Sequence, residues 1–345
     1  MHFSSDNAAG VAPEVMEALI AANQGSAMAY GGDPLTARAT EAIAALFETE
    51  CAVFPVATGT AANALALSAL TPPWGMVYCH REAHIEVDEA AAPEFYSGGG
   101  KLHLLDGPHG KLQADVLAAA LAGAGFGVQH HPQPAALSLT QASEAGTCYA
   151  VDEVAALAGV AHLHGLAVHM DGARFANAVA HLGCTPAEVT WKAGVDVLSF
   201  GATKNGAMAA EAVVFFRPGL ADDFLFRRKR GGHLFSKMRF LSAQLLAYVE
   251  DGRWLRWAGH ANAMARRLAD GLAALPGAEL VHRVEANEVF IALPAAMLDA
   301  MAAEGVVFHR WGAGGRPVAR LVAAFSTTEQ EVDGAVAAAR RHATG

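Results

Sequence analysis

The stretch Asp196-Val197-Leu198-Ser199-Phe200-Gly201-Ala202-Thr203-Lys204-Asn205-Gly206 organises the reading of this chain. An apolar, β-type run (VDVLSF) ends in small and polar residues, and one lysine stands just past the strand end. Lysine is costly near a core unless it is paired or chemically used. Gly201, Ala202 and Gly206 leave room beside it for something bulky against the backbone. A lysine that attaches a group covalently needs such a place, partly desolvated and held on a rigid element. A surface lysine in a turn after a strand reads the same way locally, so the decision rests on the remainder of the chain.

The 345 residues suffice for a large core and for two packed units. The chain is 53% hydrophobic and 17% charged, the balance of a globular enzyme rather than a disordered chain. So low a charge fraction also fits an oligomer. With 24 basic and 34 acidic residues, the net charge is −10. The one basic block, Arg227-Arg228-Lys229-Arg230, is too small to form a nucleic-acid footprint in an acidic chain. Cys51, Cys79, Cys148 and Cys184 form no CxxC pair and read as reduced thiols of a cytoplasmic protein. The N-terminal MHFSSDNAAG shows no secretory signal pattern. Residues 51–79 carry no charge, but Pro55, Gly59, Asn63, Pro72, Pro73 and Gly75 break them into strand, loop and helix rather than a membrane span.

Short apolar runs alternate with alanine-rich helical patterns. Helices are expected over 13–23, 34–47 (Asp33 as cap, Pro34 at the first position), 60–70, 152–164 and 174–182. CAVFPV, MVYC, KLHLL, AALSL, LAVHM, VDVLSF and EAVVFF read as strands. This alternation predicts an α/β fold, a mainly parallel sheet covered on both faces, with ligands at the carboxyl ends of the strands. A long helical stretch over 238–275 breaks near Asp251-Gly252. The short strands and helices beyond it predict a smaller α+β C-terminal domain. The expected division is an N-terminal arm over 1–13, a large domain over 14–250 and a small domain over 251–345.

Three chemical groups fall along this order. Thr58-Gly59-Thr60-Ala61-Ala62-Asn63 follows a strand and opens a helix, a place where free backbone N–H groups bind phosphate. It matches neither GxxxxGK[ST] nor GxGxxG, and a plain glycine turn is its other reading. In His169-Met170-Asp171-Gly172-Ala173-Arg174-Phe175 an apolar strand delivers Asp171 to its carboxyl end, with Arg174 one turn on. A buried Asp171–Arg174 pair is the alternative there. Asp171 and Lys204 end successive strands and therefore share a rim. An anion cradle, a carboxylate and a lysine on one rim meet the three needs of pyridoxal 5'-phosphate: a phosphate site, a partner for the ring nitrogen and an amine for the aldehyde.

AYGGDPLT, FPVATGTAAN, HMDGARFANA and SFGATKNG resemble the threonine aldolase family of fold-type-I pyridoxal-phosphate enzymes, in particular its low-specificity L-threonine and phenylserine aldolase branch. WKAGVDVL, SKMRFLSA and RLVAAFSTTEQEVD extend the likeness over almost the whole chain. The resemblance implies a seven-stranded large-domain sheet and retro-aldol cleavage of L-β-hydroxy-α-amino acids to glycine and an aldehyde. Racemisation and β-elimination are the alternatives on the same scaffold.

The resemblance also implies the site. Lys204 would hold the cofactor covalently, Asp171 would pair with its ring nitrogen, and His84 would stack on the ring and help move the hydroxyl proton. The backbone at Gly59 and Thr60 would hold phosphate. Arg239 would reach phosphate from a neighbouring subunit, and Tyr30 lies in a segment approaching the adjacent site. Ser5, Arg174 and Arg320 would bind the substrate carboxylate. Active sites shared between subunits imply a homo-oligomer, a tetramer or else a dimer. Relatives carry a second histidine where this chain has Ser143, in Thr140-Gln141-Ala142-Ser143; His130 and His131, a little upstream, are the candidate substitutes. The histidine-rich composition raises a metal hydrolase as the rival class, but no HExxH-like spacing supports one.

Overall fold

The computed structural model describes residues 1–311 and 317–342. Seven strands form the main sheet: β1 (Ala52–Val56), β2 (Gly75–His80), β3 (Lys101–Leu105), β4 (Gln133–Thr140), β5 (Ala167–Gly172), β6 (Val197–Gly201) and β7 (Glu211–Phe215). Their spatial order is β1-β7-β6-β5-β4-β2-β3. The contacts among β2 to β6 are parallel, and β7 pairs antiparallel with both β6 and β1. Only β7 is reversed, so the sheet is mainly parallel, as expected. Every residue of β2, β5, β6 and β7 is buried, because helices cover both faces.

Local chemistry sets the helices. Asp33 caps Pro34–Leu46, its carboxylate accepting from Thr36 N at 2.8 Å. Thr58 caps Gly59–Leu70, its hydroxyl accepting from Ala61 N at 3.2 Å. The long helical stretch divides into Arg239–Val249 and Arg253–Ala273, with Asp251 (φ 54°) and Gly252 (φ 66°) left-handed between them.

Phe47, Phe175, Phe200, Tyr248 and Trp254 form one buried aromatic cluster. Each such ring contributes about 1.5–3 kcal/mol by leaving water. The cluster also anchors the turn after β6: Asn205 Nδ2 donates to Tyr248 Oη at 3.0 Å and to the Trp254 carbonyl at 2.8 Å.

The second sheet joins β8 (Glu279–Leu280), β9 (Glu288–Ala292), β10 (His309–Trp311) and β11 (Val318–Val322) in the antiparallel order β10-β11-β9-β8. The first residues join this unit. Phe3 is fully buried in its core, Phe3 N donates to Val307 O and Val322 N donates to Phe3 O.

Two local readings change. Gly201 does not clear space for a ligand: a Cβ there would lie 2.7 Å from the Gly172 and Ala173 carbonyl oxygens of the adjoining strand and turn. Gly206, at φ 107°, faces the Trp257 ring and Ala12. Both serve the packing of the chain on itself.

Candidate active site

The carboxyl ends of β1, β2, β4, β5 and β6 share one rim, and β7 begins there because Glu211 pairs with both Gly201 and Val56. A cavity of about 370 Å³ opens on this rim. Gly59, Thr60, Asn63, His84, Asp171, Arg174 and Lys204 line it, together with Asn7, Thr140, Glu144 and Glu211.

Lys204 lies in the turn Thr203–Asn205, which is fixed on both sides. Asn205 is tied to the aromatic cluster, and Ala202 N donates to Glu211 Oε2 at 2.8 Å. Among the described residues Lys204 makes no ion pair. Asp171 is buried at the end of β5. Its Oδ1 accepts from Ala173 N at 3.0 Å and its Oδ2 from Asn63 Nδ2 at 2.7 Å. Two strand positions before it, His169 bridges the Ser138 and Ser199 hydroxyls at 2.9 Å each. Burial lowers the His169 pKa to about 4, so the ring is neutral.

Asn63 Nδ2 donates a second time, to Glu89 Oε1 at 2.9 Å, and that oxygen also meets His84 Nδ1 at 2.9 Å. One amide thus bridges the two buried carboxyl groups of Glu89 and Asp171. Burial raises the Glu89 pKa against the pull of His84, and the Glu89 hydrogen bond raises that of His84. Asn63 Oδ1 and Glu89 Oε2 are buried without a hydrogen-bond partner among the described residues.

The sequence alternative of an Asp171–Arg174 pair does not hold. Arg174 donates to Asp6 through Nε at 2.7 Å and Nη2 at 3.0 Å, and its Nη1 lies 3.2 Å from Glu288 Oε2. Arg320 meets the other Glu288 oxygen at 2.5 Å, so the two arginines are joined through one buried carboxylate. Burial acts to raise the Asp6 pKa, but the charges of Arg174 and Lys204 outweigh it and lower the group to about 2.

Other expected site residues lie outside the cavity lining. The Ser5 hydroxyl accepts from Asn7 N at 3.1 Å and caps the short turn Asp6–Ala8. Tyr30 is exposed, at φ 59°, with Lys229 Nζ 4.8 Å from its ring centre. Arg239 donates to the Gln24 and Gly25 carbonyls. His130 requires correction. It precedes the first residue of β4, whereas Thr140, the last, is at the cavity. Eight extended residues span roughly 26 Å, which puts His130 at the opposite rim within its own chain. Ser143 also turns away, its hydroxyl sharing a hydrogen bond of 2.8 Å with Thr147 Oγ1.

The arrangement fits pyridoxal 5'-phosphate. A Cβ at Gly59 would meet nothing within 4 Å, so space is open beside the first amides of a 12-residue helix, which have no earlier helical turn to pair with. A buried carboxylate with fixed donors and a lysine without an ion pair share that space. A mainly parallel sheet with these three groups on its carboxyl rim is the architecture of a fold-type-I pyridoxal-phosphate enzyme.

The beta-eliminating lyase family model matches residues 2–296. The low specificity L-threonine aldolase of Pseudomonas sp. (strain NCIMB 10558) is 47% identical over 332 residues, covering 96% of this chain and 94% of the relative. The protein of the same name from Pseudomonas aeruginosa gives the same figures. The chain belongs to the beta-eliminating lyase family and, within it, to the threonine aldolases. The solved threonine aldolase structure from Leishmania major superposes with a TM-score of 0.93 at 27% identity, covering 99% of both chains. Sphingomonas wittichii serine palmitoyltransferase, at a TM-score of 0.73 and 16% identity over 99% of this chain and 86% of that one, shares the fold.

Proposed function

We propose that this chain cleaves L-β-hydroxy-α-amino acids of the threonine, allo-threonine and phenylserine type reversibly to glycine and an aldehyde. The convergence of Lys204, Asp171 and the helix N-terminus at Gly59 on one cavity carries this reading, supported by the high-identity threonine aldolase relatives. Pyridoxal 5'-phosphate, when bound, would supply an electron-accepting ring for cleavage at Cα.

Each residue then has a task. Lys204 would hold the cofactor covalently, and the Gly59 and Thr60 amides would hold its phosphate. Asp171 would keep the ring nitrogen protonated, its carboxylate fixed by Asn63 and Ala173 N. His84 would stack on the ring and help move the hydroxyl proton. Arg174 lies at the cavity wall and meets the substrate carboxylate, with Arg320 and Ser5 behind it; Glu288 and Asp6 keep the Arg174 guanidinium aimed before substrate arrives. Holding that carboxylate would fix which bond at Cα is presented for cleavage.

Tyr30 and Arg239 lie outside their own chain's cavity and serve the adjacent subunit of a homo-oligomer, a tetramer in this reading. The division into an arm over 1–13 and domains over 14–250 and 251–345 is supported by the left-handed break at Asp251-Gly252. No helix among the described residues is long and apolar enough to cross a membrane, and the four cysteines are free. The free thiols support a cytoplasmic location.

Incubation with phenylserine tests the reaction. Benzaldehyde and glycine in equal amounts are expected. Phenylpyruvate with ammonia would mark β-elimination instead, and the D-enantiomer would mark racemisation. Lys204→Ala is expected to lose both the cofactor's visible absorbance and aldehyde release; a variant retaining both would overturn the assignment of Lys204.

A further inference from the structure

The cleavage needs a group that takes the proton of the β-hydroxyl. Ser143 is bonded away from the cavity and His130 lies at the opposite rim. His84 is at the cavity, but its Nδ1 is held by Glu89, and that hydrogen bond favours the protonated ring.

Glu144 lines the same cavity from the loop after β4. Its Oε1 accepts from His84 N at 2.8 Å, which fixes the carboxyl group beside the segment that carries the His84 ring. Its Oε2 is shielded from solvent and has no hydrogen-bond partner among the described residues. A carboxyl group anchored through one oxygen at the wall of a reaction cavity, with its other oxygen just beneath that wall beside the Thr140 hydroxyl, needs only a small turn to exchange a proton with something that enters. We propose that Glu144 takes the proton of the substrate's β-hydroxyl during cleavage and returns it during synthesis, an inference that rests on the reaction proposed above.

The step balances without an oxidant or reductant. The hydroxyl O–H bond breaks and its proton goes to Glu144. The electron pair of that bond becomes the second bond of the aldehyde carbonyl. The Cα–Cβ pair stays with Cα until a proton is added there. Glu144 then releases its proton to water, so one β-hydroxy amino acid yields one glycine and one aldehyde.

The surroundings suit this task. Burial, and then the charge of Asp171 on β5, raises the Glu144 pKa to about 7, while His84 N and the Thr140 hydroxyl of β4 pull it down. Arg174 faces it electrostatically from the turn after β5, as do Cys79 of β2 and Tyr149. Glu89 lies one hydrogen bond behind His84. A carboxyl group that titrates near neutrality can both accept and return a proton.

Glu144→Gln tests this, because a glutamine oxygen still accepts from His84 N while the titration is lost. In the holoenzyme, release of benzaldehyde from phenylserine is expected to fall by about 100-fold or more. Exchange of the glycine α-proton in D2O and the dissociation constant of glycine from spectral titration should stay at wild-type values, since glycine has no hydroxyl. The acidic limb of the wild-type pH–rate profile should disappear. In Glu144→Ala, formate should restore aldehyde release saturably.

Wild-type cleavage by Glu144→Gln would overturn the proposal while leaving the aldolase reading intact. Equal losses of cleavage, glycine exchange and glycine binding, with no formate rescue in Glu144→Ala, would also overturn it, by making Glu144 a structural anchor of His84. A wild-type enzyme that exchanges glycine but releases no aldehyde would defeat the aldolase reading itself.

Discussion

Removing the amide of Asn63 should damage stability and cofactor binding together. Its Nδ2 gives both hydrogens to carboxylates, at 2.7 Å to Asp171 and 2.9 Å to Glu89, in a site where Asn63, Asp171 and Glu89 are all buried. Hydrogen bonds to charged groups contribute about 1.5–3 kcal/mol each, so two sum to about 3–6 kcal/mol if independent. They share one donor group, and one carboxyl can protonate to relieve the other, so we expect about 3 kcal/mol for Asn63→Ala.

Asn63→Asp keeps the shape and replaces the donors with a third carboxyl, and should be worse than alanine above pH 5. The sign follows from Glu89. A carboxyl whose pKa is raised in the folded state contributes stability that is full below its unfolded value and is lost as pH rises through the folded one. Crowding Glu89 further must steepen that loss, so the gap between Asn63→Asp and wild type should widen from pH 5 to pH 8. Urea unfolding of the cofactor-free protein across that range measures it, and cofactor dissociation followed by absorbance measures the effect on Asp171. Wild-type stability and cofactor affinity in Asn63→Ala would refute the bridging role. A gap for Asn63→Asp that narrows with rising pH would refute the electrostatic account.

Asp6→Asn removes the charge partner of the buried Arg174. From an ordinary value of 3.8 down to about 2, the Asp6 shift corresponds to about 2 kcal/mol, present above pH 4 and lost as pH falls through about 2. The stability gap between Asp6→Asn and wild type, read by urea unfolding, should therefore be full at pH 7 and close toward pH 2. Gly201→Ala drives a Cβ to 2.7 Å from two backbone oxygens that cannot swing aside, and should cost about 1–3 kcal/mol in thermal unfolding. Cofactor affinity should fall with it, because β5 and β6 carry Asp171 and the Lys204 turn.

The groups legible in sequence were those fixed by short-range rules. Strand runs, the Thr58 cap and the ends of β5 and β6 follow from alternation and capping over a few residues, and these alone bring Gly59, Asp171 and Lys204 to one rim. What escaped depends on segments far apart in the chain. Glu144 meets His84 across 60 residues, and Asp6 meets Arg174 across 168. Asn63 ends the Thr58–Asn63 stretch, but no local signal marks its amide as a bridge between carboxyls from two other segments. In sequence Gly201 looks like ligand clearance because the carbonyls that crowd it belong to a neighbouring segment. His130 looked close to Thr140 in sequence, and only the extended length of β4 separates them.

The docked first residues have a consequence for how the enzyme is made. Ser4 O accepts from Arg320 across 316 residues, and Phe3 O waits for Val322 N. During translation at about 5–20 residues per second, the arm emerges roughly 15–60 s before its docking strands exist. A chain stalled short of β11 has the Lys204 turn and the phosphate cradle but lacks the docked Asp6 that aims Arg174. The carboxylate grip is therefore assembled after the cofactor cradle, once β11 has been made.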